Sequence, residues 1–455
     1  MSQEAEEFLA AHPEIEAVDI VLVDLNGIGR GKIVRRHELV SIYRDGRHMP
    51  MSILGLDIVG EDVEGTGLVW TEGDADRRAR PVPGTLVPMP WTDPPRAQVL
   101  LTLHELDGSP FTFDPRHALL RQIERLAARG LRAAGALELE FFLLDAERDP
   151  SGRLRPAAAA LDQRRSNATQ VYTLDELDGM QPLFADIYAC AKAQGIPLET
   201  LISEYAPGQY ELTLRYRDDI ARAADDMVML KRMVRGFARK RGMIACFMAK
   251  PFAGVAGSGM HLHVSVVGKD GRNVFSEAAA ERWPDVLLHA IGGLSVTMAE
   301  SMLVFAPHAN SWRRFQAQSY APVRPNWGFN NRSVALRIPA GPAVARRIEH
   351  RPSGVDANPY LVAATVLAGL QHGWDHRIDP GPASAGNAYE GGDARTADMP
   401  RDWRSAIERA RASEFLRGAL GERAFGAFLA IKDAEHARVA RTVPELDYEL
   451  YLHSV

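Results

Sequence analysis

The chain has 455 residues, 46% of them hydrophobic and 25% charged, with a formal net charge of -6. That composition supports a large apolar core, and a negative balance without a basic block excludes the usual footprint of a nucleic-acid binder. Cys190 and Cys246 are the only cysteines, too few for a disulfide scaffold or a thiolate metal cluster and in keeping with a reducing compartment.

The N-terminus, MSQEAEEFLA, is acidic where a signal peptide would be basic. No run approaches 18 consecutive apolar residues, so no membrane span and a cytoplasmic location are expected. The first third reads mostly as strands. "AVDIVLVDL" and "GKIVRR" flank Asn26-Gly27, a hairpin signal because that dipeptide tolerates positive φ. "GIGRGKI" is one residue short of a phosphate loop, and Ile33 stands where Ser or Thr is needed. A Pro-rich stretch leads to the strand "AQVLLTLHEL". Asp114-Pro115 then reads as an N-cap with proline at the first helical position, and Gly130 supplies the stop. The change of texture predicts a domain boundary near residue 112, dividing the chain into 1–112 and 113–455. A second helix is predicted over roughly 218–241, and loops near 146–169 and 375–400.

Several acids sit in strand-like apolar runs. "GALELEFFLLD" carries Glu138 and Glu140, which share one face because strand side chains repeat every two residues. "SEYAPGQYEL" offers Glu204 and Glu211 across a Pro-Gly turn, and "GSGMHLHVS" offers His261 and His263. In "RRIEHR", Arg347, Glu349 and Arg351 align in the same way. Taken singly, these are an edge strand with a solvated face, a structural histidine pair and a surface ion-pair ladder. Together they make five carboxylates and up to two imidazoles in inward-capable settings. Oxygen-rich sets with a nitrogen suit Mg²⁺ or Mn²⁺, and burying several carboxylates without cations costs several kcal/mol each. The arginines at 314, 332, 337, 347 and 351 exceed what metals require and imply an anionic ligand rich in oxygens.

At this point the residues resemble the glutamine synthetase family over nearly the whole chain. "KPFAGVAGSGMHLHVS" is similar to that family's ATP-region signature, and "ELEFFL", "EYAPGQYE", "NNRSVALRIP" and "RRIEHRPSGVDANPYL" follow in family order. Segments such as "FMAKP", "NSWRRFQ" and "DANPYLV" resemble the branch that joins glutamate to a diamine, which has tyrosine for Trp312. The resemblance implies an α+β chain with a small N-terminal β-grasp domain and a large catalytic domain around a curved antiparallel sheet. It implies two or three Mg²⁺ or Mn²⁺ ions, one held by Glu140, Glu204 and Glu211 and another by Glu138, His261 and Glu349. Gly257, Arg314 and Arg351 would hold glutamate, while Arg332, Arg337, Arg347, His263 and Ser265 would serve ATP. The implied reaction activates the γ-carboxylate of glutamate as γ-glutamyl phosphate, which an amine then attacks, in polyamine catabolism or nitrogen metabolism.

Two departures bear on the amine. Ammonia-using members carry a flap glutamate after the arginine matching Arg314, and here "RRFQAQSYAPV" places Tyr320 there. They also carry an Asp-Gly-Ser-Ser segment, of which "LGLDIVG" keeps only the acid, Asp57. Asp57, Tyr320 and Arg332 are therefore the catalytic candidates, and a primary alkylamine or polyamine is expected in preference to ammonia. The C-terminal "LDYELYLHSV" resembles the tail of members that stack two hexameric rings, so a homododecamer is expected. No nucleic-acid or membrane partner is expected beside the small-molecule substrates. Tyr389 in "GNAYE" lies near where some members are adenylylated.

Overall fold

The computed structural model describes residues 2–276, 283–390 and 398–455. Strands β1 (Ala17–Val23), β2 (Gly29–Arg35), β3 (Arg47–Pro50), β4 (Asp76–Pro81), β5 (Val87–Met89) and β6 (Arg96–His104) form one sheet. Their order is β2-β1-β6-β4-β3, with β5 beside β6. The β1–β6 pair is parallel and the others are antiparallel.

The predicted Asn26-Gly27 turn is present, with Gly27 at φ 77. A Cβ there would lie 3.0 Å from the Cα of Asn358, so the tip needs glycine for both its dihedral and its packing. Asn358 caps the helix Pro359–His376 and donates through Nδ2 to the carbonyl of Asp24, which docks this hairpin on the rest of the molecule. Most of "GIGRGKI" is strand β2, paired with β1 along its length, so it is no phosphate cradle.

A second sheet contains β7 (Arg132–Asp145), β8 (Leu198–Ser203), β9 (Gln209–Leu214), β10 (Met243–Cys246), β11 (Leu262–Val267), β12 (Trp327–Phe329), β13 (Leu336–Ile338) and β14 (Ile348–His350). The order is β12-β13-β14-β11-β7-β9-β8, with β10 beside β7. The expectation of a wholly antiparallel sheet is corrected at one edge, where β12 and β13 run parallel. The intervening loop turns back on itself, with Asn330 at φ 49 and Ala335 N–H donating to Asn326 Oδ1, so no tight hairpin forms.

Helices cover one face of this sheet. Pro115–Ala128 starts at Asp114, whose carboxylate accepts from the backbone N–H of Arg116 as an N-cap should. Ile220–Lys240 matches the predicted second helix and starts on the Asp219 cap. Its Met227, Leu230 and Val234 share a core with Leu137, Leu139, Phe141 and Leu143 of β7. That apolar row points Glu138 and Glu140 to the opposite face. Asp285–Phe305 is long and apolar enough to cross a membrane, but 72% of its most apolar window is buried inside the protein. The predicted loop at 146–169 carries neither helix nor strand, whereas that at 375–400 starts with the end of a helix and lies partly outside the described residues.

Candidate active site

Strand register assembles the polar face. Glu140 on β7 pairs with Glu211 on β9. On the other side of β7, Ala136 pairs with His263 on β11, His263 with Glu349 on β14, and Glu349 with Arg337 on β13. One row across four strands therefore delivers an imidazole, a carboxylate and a guanidinium from distant parts of the chain. His261 lies just before β11, and its carbonyl accepts from Glu138 N–H at 3.0 Å.

Glu138 sits at the centre. Its Oε2 is 2.8 Å from His261 Nδ1 and its Oε1 is 2.8 Å from His263 Nε2. Arg347 Nε donates to His263 Nδ1 at 3.0 Å, which leaves the proton on Nε2 for Glu138. Burial pushes the Glu138 carboxyl up, but the two imidazoles outweigh it and hold it well below the ordinary carboxylate range. Glu349 is 1% exposed and takes Arg337 at 2.8 Å on Oε2 and Arg351 on Oε1. Against its burial, His263, Arg351 and His261 hold it at about 2.

The second carboxylate group behaves oppositely. Glu211 is pushed well above the ordinary range by burial and by Glu138, Glu140 and Glu204. Glu204 and Glu140 are also raised, chiefly by burial, although Gly259 N–H donates to Glu140 at 2.6 Å. Three neighbouring acids, Glu211 buried and Glu140 and Glu204 half-buried, that resist ionising together would be relieved by a cation. The donor chemistry fits a hard divalent metal on both sides of Glu138. Among the described residues, one oxygen or nitrogen from each of Glu138, His263 and Glu349 lies within 4.8 Å of the others. His263, assigned to ATP from sequence, thus sits in a metal-capable group, while His261 stays 3.9 Å from Glu349.

The glutamate candidates also converge. Arg314 is 5% exposed, and its Nη1 donates to the Pro352 carbonyl at 2.8 Å and its Nη2 to that of Arg351 at 3.3 Å. A Cβ on Gly257 would lie 2.5 Å from the Ala249 carbonyl oxygen and 3.0 Å from Arg314 Cγ, so only glycine lets the arginine approach. Gln209, which sequence reasoning passed over, donates to the Gly257 carbonyl at 3.0 Å and fixes this loop. Its place between Glu204 and Glu211 was the available signal. Arg332 is exposed and close enough to Glu204 for its charge to oppose a little of the rise that burial causes there. Ser265 follows His263 on the same face of β11. Tyr320, on the loop after Arg314, is 59% exposed, and its carbonyl lies 3.4 Å from Arg351 Nη2. Asp57 is not brought to this cluster. It is 3% exposed, caps the N–H groups of Val59 and Glu61, and pairs with Arg438 at 3.1 Å.

Residues 112–451 match the glutamine synthetase catalytic domain. The chain is 39% identical to γ-glutamylputrescine synthetase PuuA of Escherichia coli (strain K12), covering 99% of this chain and 94% of that protein. It is 32% identical to a glutamate–isopropylamine ligase of a Pseudomonas species, over 84% of this chain and 83% of the relative. A solved structure described as a GmaS/ADP complex superposes with a TM-score of 0.85 at 29% identity, covering 99% of this chain and 100% of that one. This chain belongs to the glutamine synthetase family, as a glutamate–amine ligase type of enzyme.

Proposed function

We propose that the enzyme joins the γ-carboxylate of L-glutamate to a primary alkylamine or polyamine, with putrescine the leading candidate, at the expense of ATP. Arg314 and Arg351 grip the α-carboxylate of glutamate beside Gly257. The γ-carboxylate attacks the γ-phosphoryl group of ATP, giving γ-glutamyl phosphate and ADP, and the amine nitrogen then displaces phosphate. Arg332, Arg337 and Arg347 neutralise charge spread over the transferring group. Glu140, Glu204 and Glu211 would hold one divalent metal and Glu138, His261 and Glu349 another, with His263 and Ser265 toward the nucleotide. Bound there, the metals supply Lewis-acid stabilisation of phosphoryl oxygens.

The observation that carries the choice of amine is Tyr320, a neutral phenol at the flap position. A carboxylate about 4 Å from an ammonium contributes roughly 4 kcal/mol of gross attraction at an effective dielectric near 20, and this flap lacks it. Each buried methylene of an alkylamine gains about 0.8 kcal/mol instead, with the tyrosine ring as a wall. kcat/KM for putrescine or a simple alkylamine should exceed that for ammonium by more than about a hundredfold, measured by phosphate release. Tyr320→Glu should narrow the gap. Comparable turnover with ammonium would leave the second reading, a glutamine synthetase, which the retained Asp57 favours.

The wider reading is a cytoplasmic enzyme of polyamine catabolism with a β-grasp unit over 1–112 and a catalytic unit over 113–455. It assembles as two stacked hexameric rings, and Asp57 acts in the site of a neighbouring subunit.

A further inference from the structure

Tyr320 occupies an improbable backbone conformation. Its φ is 59° and that of Gln318 is 59°, the left-handed region that a bulky side chain rarely enters. Such residues persist only where their surroundings over-determine them. The ring itself, 59% exposed, is not held by packing, so the backbone of residues 316–322 sets its direction.

Three side chains hold that backbone. Ser319 Oγ donates locally to the Gln316 carbonyl at 2.6 Å. Arg351 reaches the Tyr320 carbonyl at a long 3.4 Å. Tyr389 Oη donates to the Ala321 carbonyl at 3.0 Å, a shorter bond than that from Arg351. Burial raises the Tyr389 phenol above its ordinary value, so it keeps the proton it donates.

Tyr389 is in turn held from both sides of Arg332. Asn331 Nδ2 donates to the Gly386 carbonyl at 2.9 Å, and the Ala388 N–H donates to Ser333 Oγ at 3.1 Å. Asn326 Nδ2 grips the Ala388 carbonyl at 3.0 Å. One short segment thus connects the loop bearing a phosphate-side arginine to the loop bearing the amine-side wall.

We propose that Tyr389 is a positioning residue for amine specificity, fixing through its hydroxyl the loop that carries Tyr320 and tying it to the Arg332 loop. This rests on the reading of Tyr320 as the wall of the amine site. The phenol touches no reacting atom, and its effect passes through Ala321 to the neighbouring ring.

Tyr389→Phe keeps the ring and removes the donor. In the full-length enzyme, KM for putrescine should rise about five- to tenfold, the scale of one lost hydrogen bond. KM for ATP and glutamate should stay within about twofold, and kcat/KM with ammonium should hold, because ammonium makes no contact with the wall. Amide hydrogen exchange of residues 316–322 in the substrate-free enzyme should quicken by a similar factor. In a Tyr320→Ala background the same substitution should leave the putrescine KM where it is, since both changes act through one ring. Unchanged exchange at 316–322, or additive effects in the double variant, would overturn the inference. A wild-type preference for ammonium would instead remove the amine reading, and the exchange measurement would still decide whether Tyr389 holds the loop.

Discussion

Glu138 accepts from two different imidazoles at 2.8 Å, one on each oxygen. A metal bound there would be held by Glu138 and one or both imidazoles in place of those contacts. His261→Ala and Glu138→Gln should each weaken Mn²⁺ binding about 10–100-fold, read by electron paramagnetic resonance on the substrate-free enzyme. Activity with Mg²⁺ should fall at least about a hundredfold. Normal Mn²⁺ affinity in both variants would take this cluster out of metal binding. These residues were legible because strand periodicity puts acids two apart on one face, and five such acids have no bland explanation together. The Arg347–His263 and Gly259–Glu140 bonds were not legible, since they depend on cross-strand register between segments over 80 residues apart. The same register also sets His263, the expected nucleotide contact, within 4.8 Å of Glu138 and Glu349 in a group able to hold a metal.

At the scale of elements, helices announced themselves through their caps. Asp114 and Asp219 each accept from the N–H two residues on, where the sequence places an acid before a helical apolar pattern. Strands β12, β13 and β14 have three residues each, too short for alternation to register. Their parallel edge pair depends on a loop that no local pattern marks. The loop at Gly257 is where an element's geometry bears on the proposed glutamate site. Gly257→Ala forces a Cβ to within 2.5 Å of the Ala249 carbonyl oxygen, so either that segment or Arg314 must move. Overpacking of this kind costs about 1–3 kcal/mol, and a displacement of about 1 Å can cost a hundredfold in reactivity. Gly257→Ala should therefore raise KM for glutamate at least about tenfold and lower the melting temperature, with KM for ATP little changed. An unaltered KM for glutamate would show that Arg314 does not grip that substrate.

At the scale of the whole molecule, the C-terminal helix, among the described residues, has no folding rationale within its own chain. Helix Glu445–Tyr451 has no buried residue. Leu446, Tyr448, Leu450, Tyr451 and Leu452 are all exposed, and Leu450, the least exposed of the five, is still 50% exposed. An isolated helix this short is marginal in water, and a free apolar terminus frays. Burial of a large apolar side chain contributes about 1.5–3 kcal/mol, so covering the exposed halves of five gains on the order of 5 kcal/mol per tail. In the proposed stacked-ring assembly another subunit would supply that cover, because a tail crossing between rings is repeated at every subunit by symmetry. Glu435 and Arg438, on the preceding helix, hold the loop around Asp57 through the Ile58 N–H and the Asp57 carboxylate. The tail can therefore be removed without cutting the contacts that fix that loop. If the proposed two-ring assembly holds, deleting residues 446–455 should leave each subunit folded and halve the mass to about that of single rings in light scattering. Amine-dependent phosphate release should survive in the smaller species, since the carboxylates, histidines and arginines of the site all lie before residue 352. An unchanged mass after truncation would assign ring stacking to another surface.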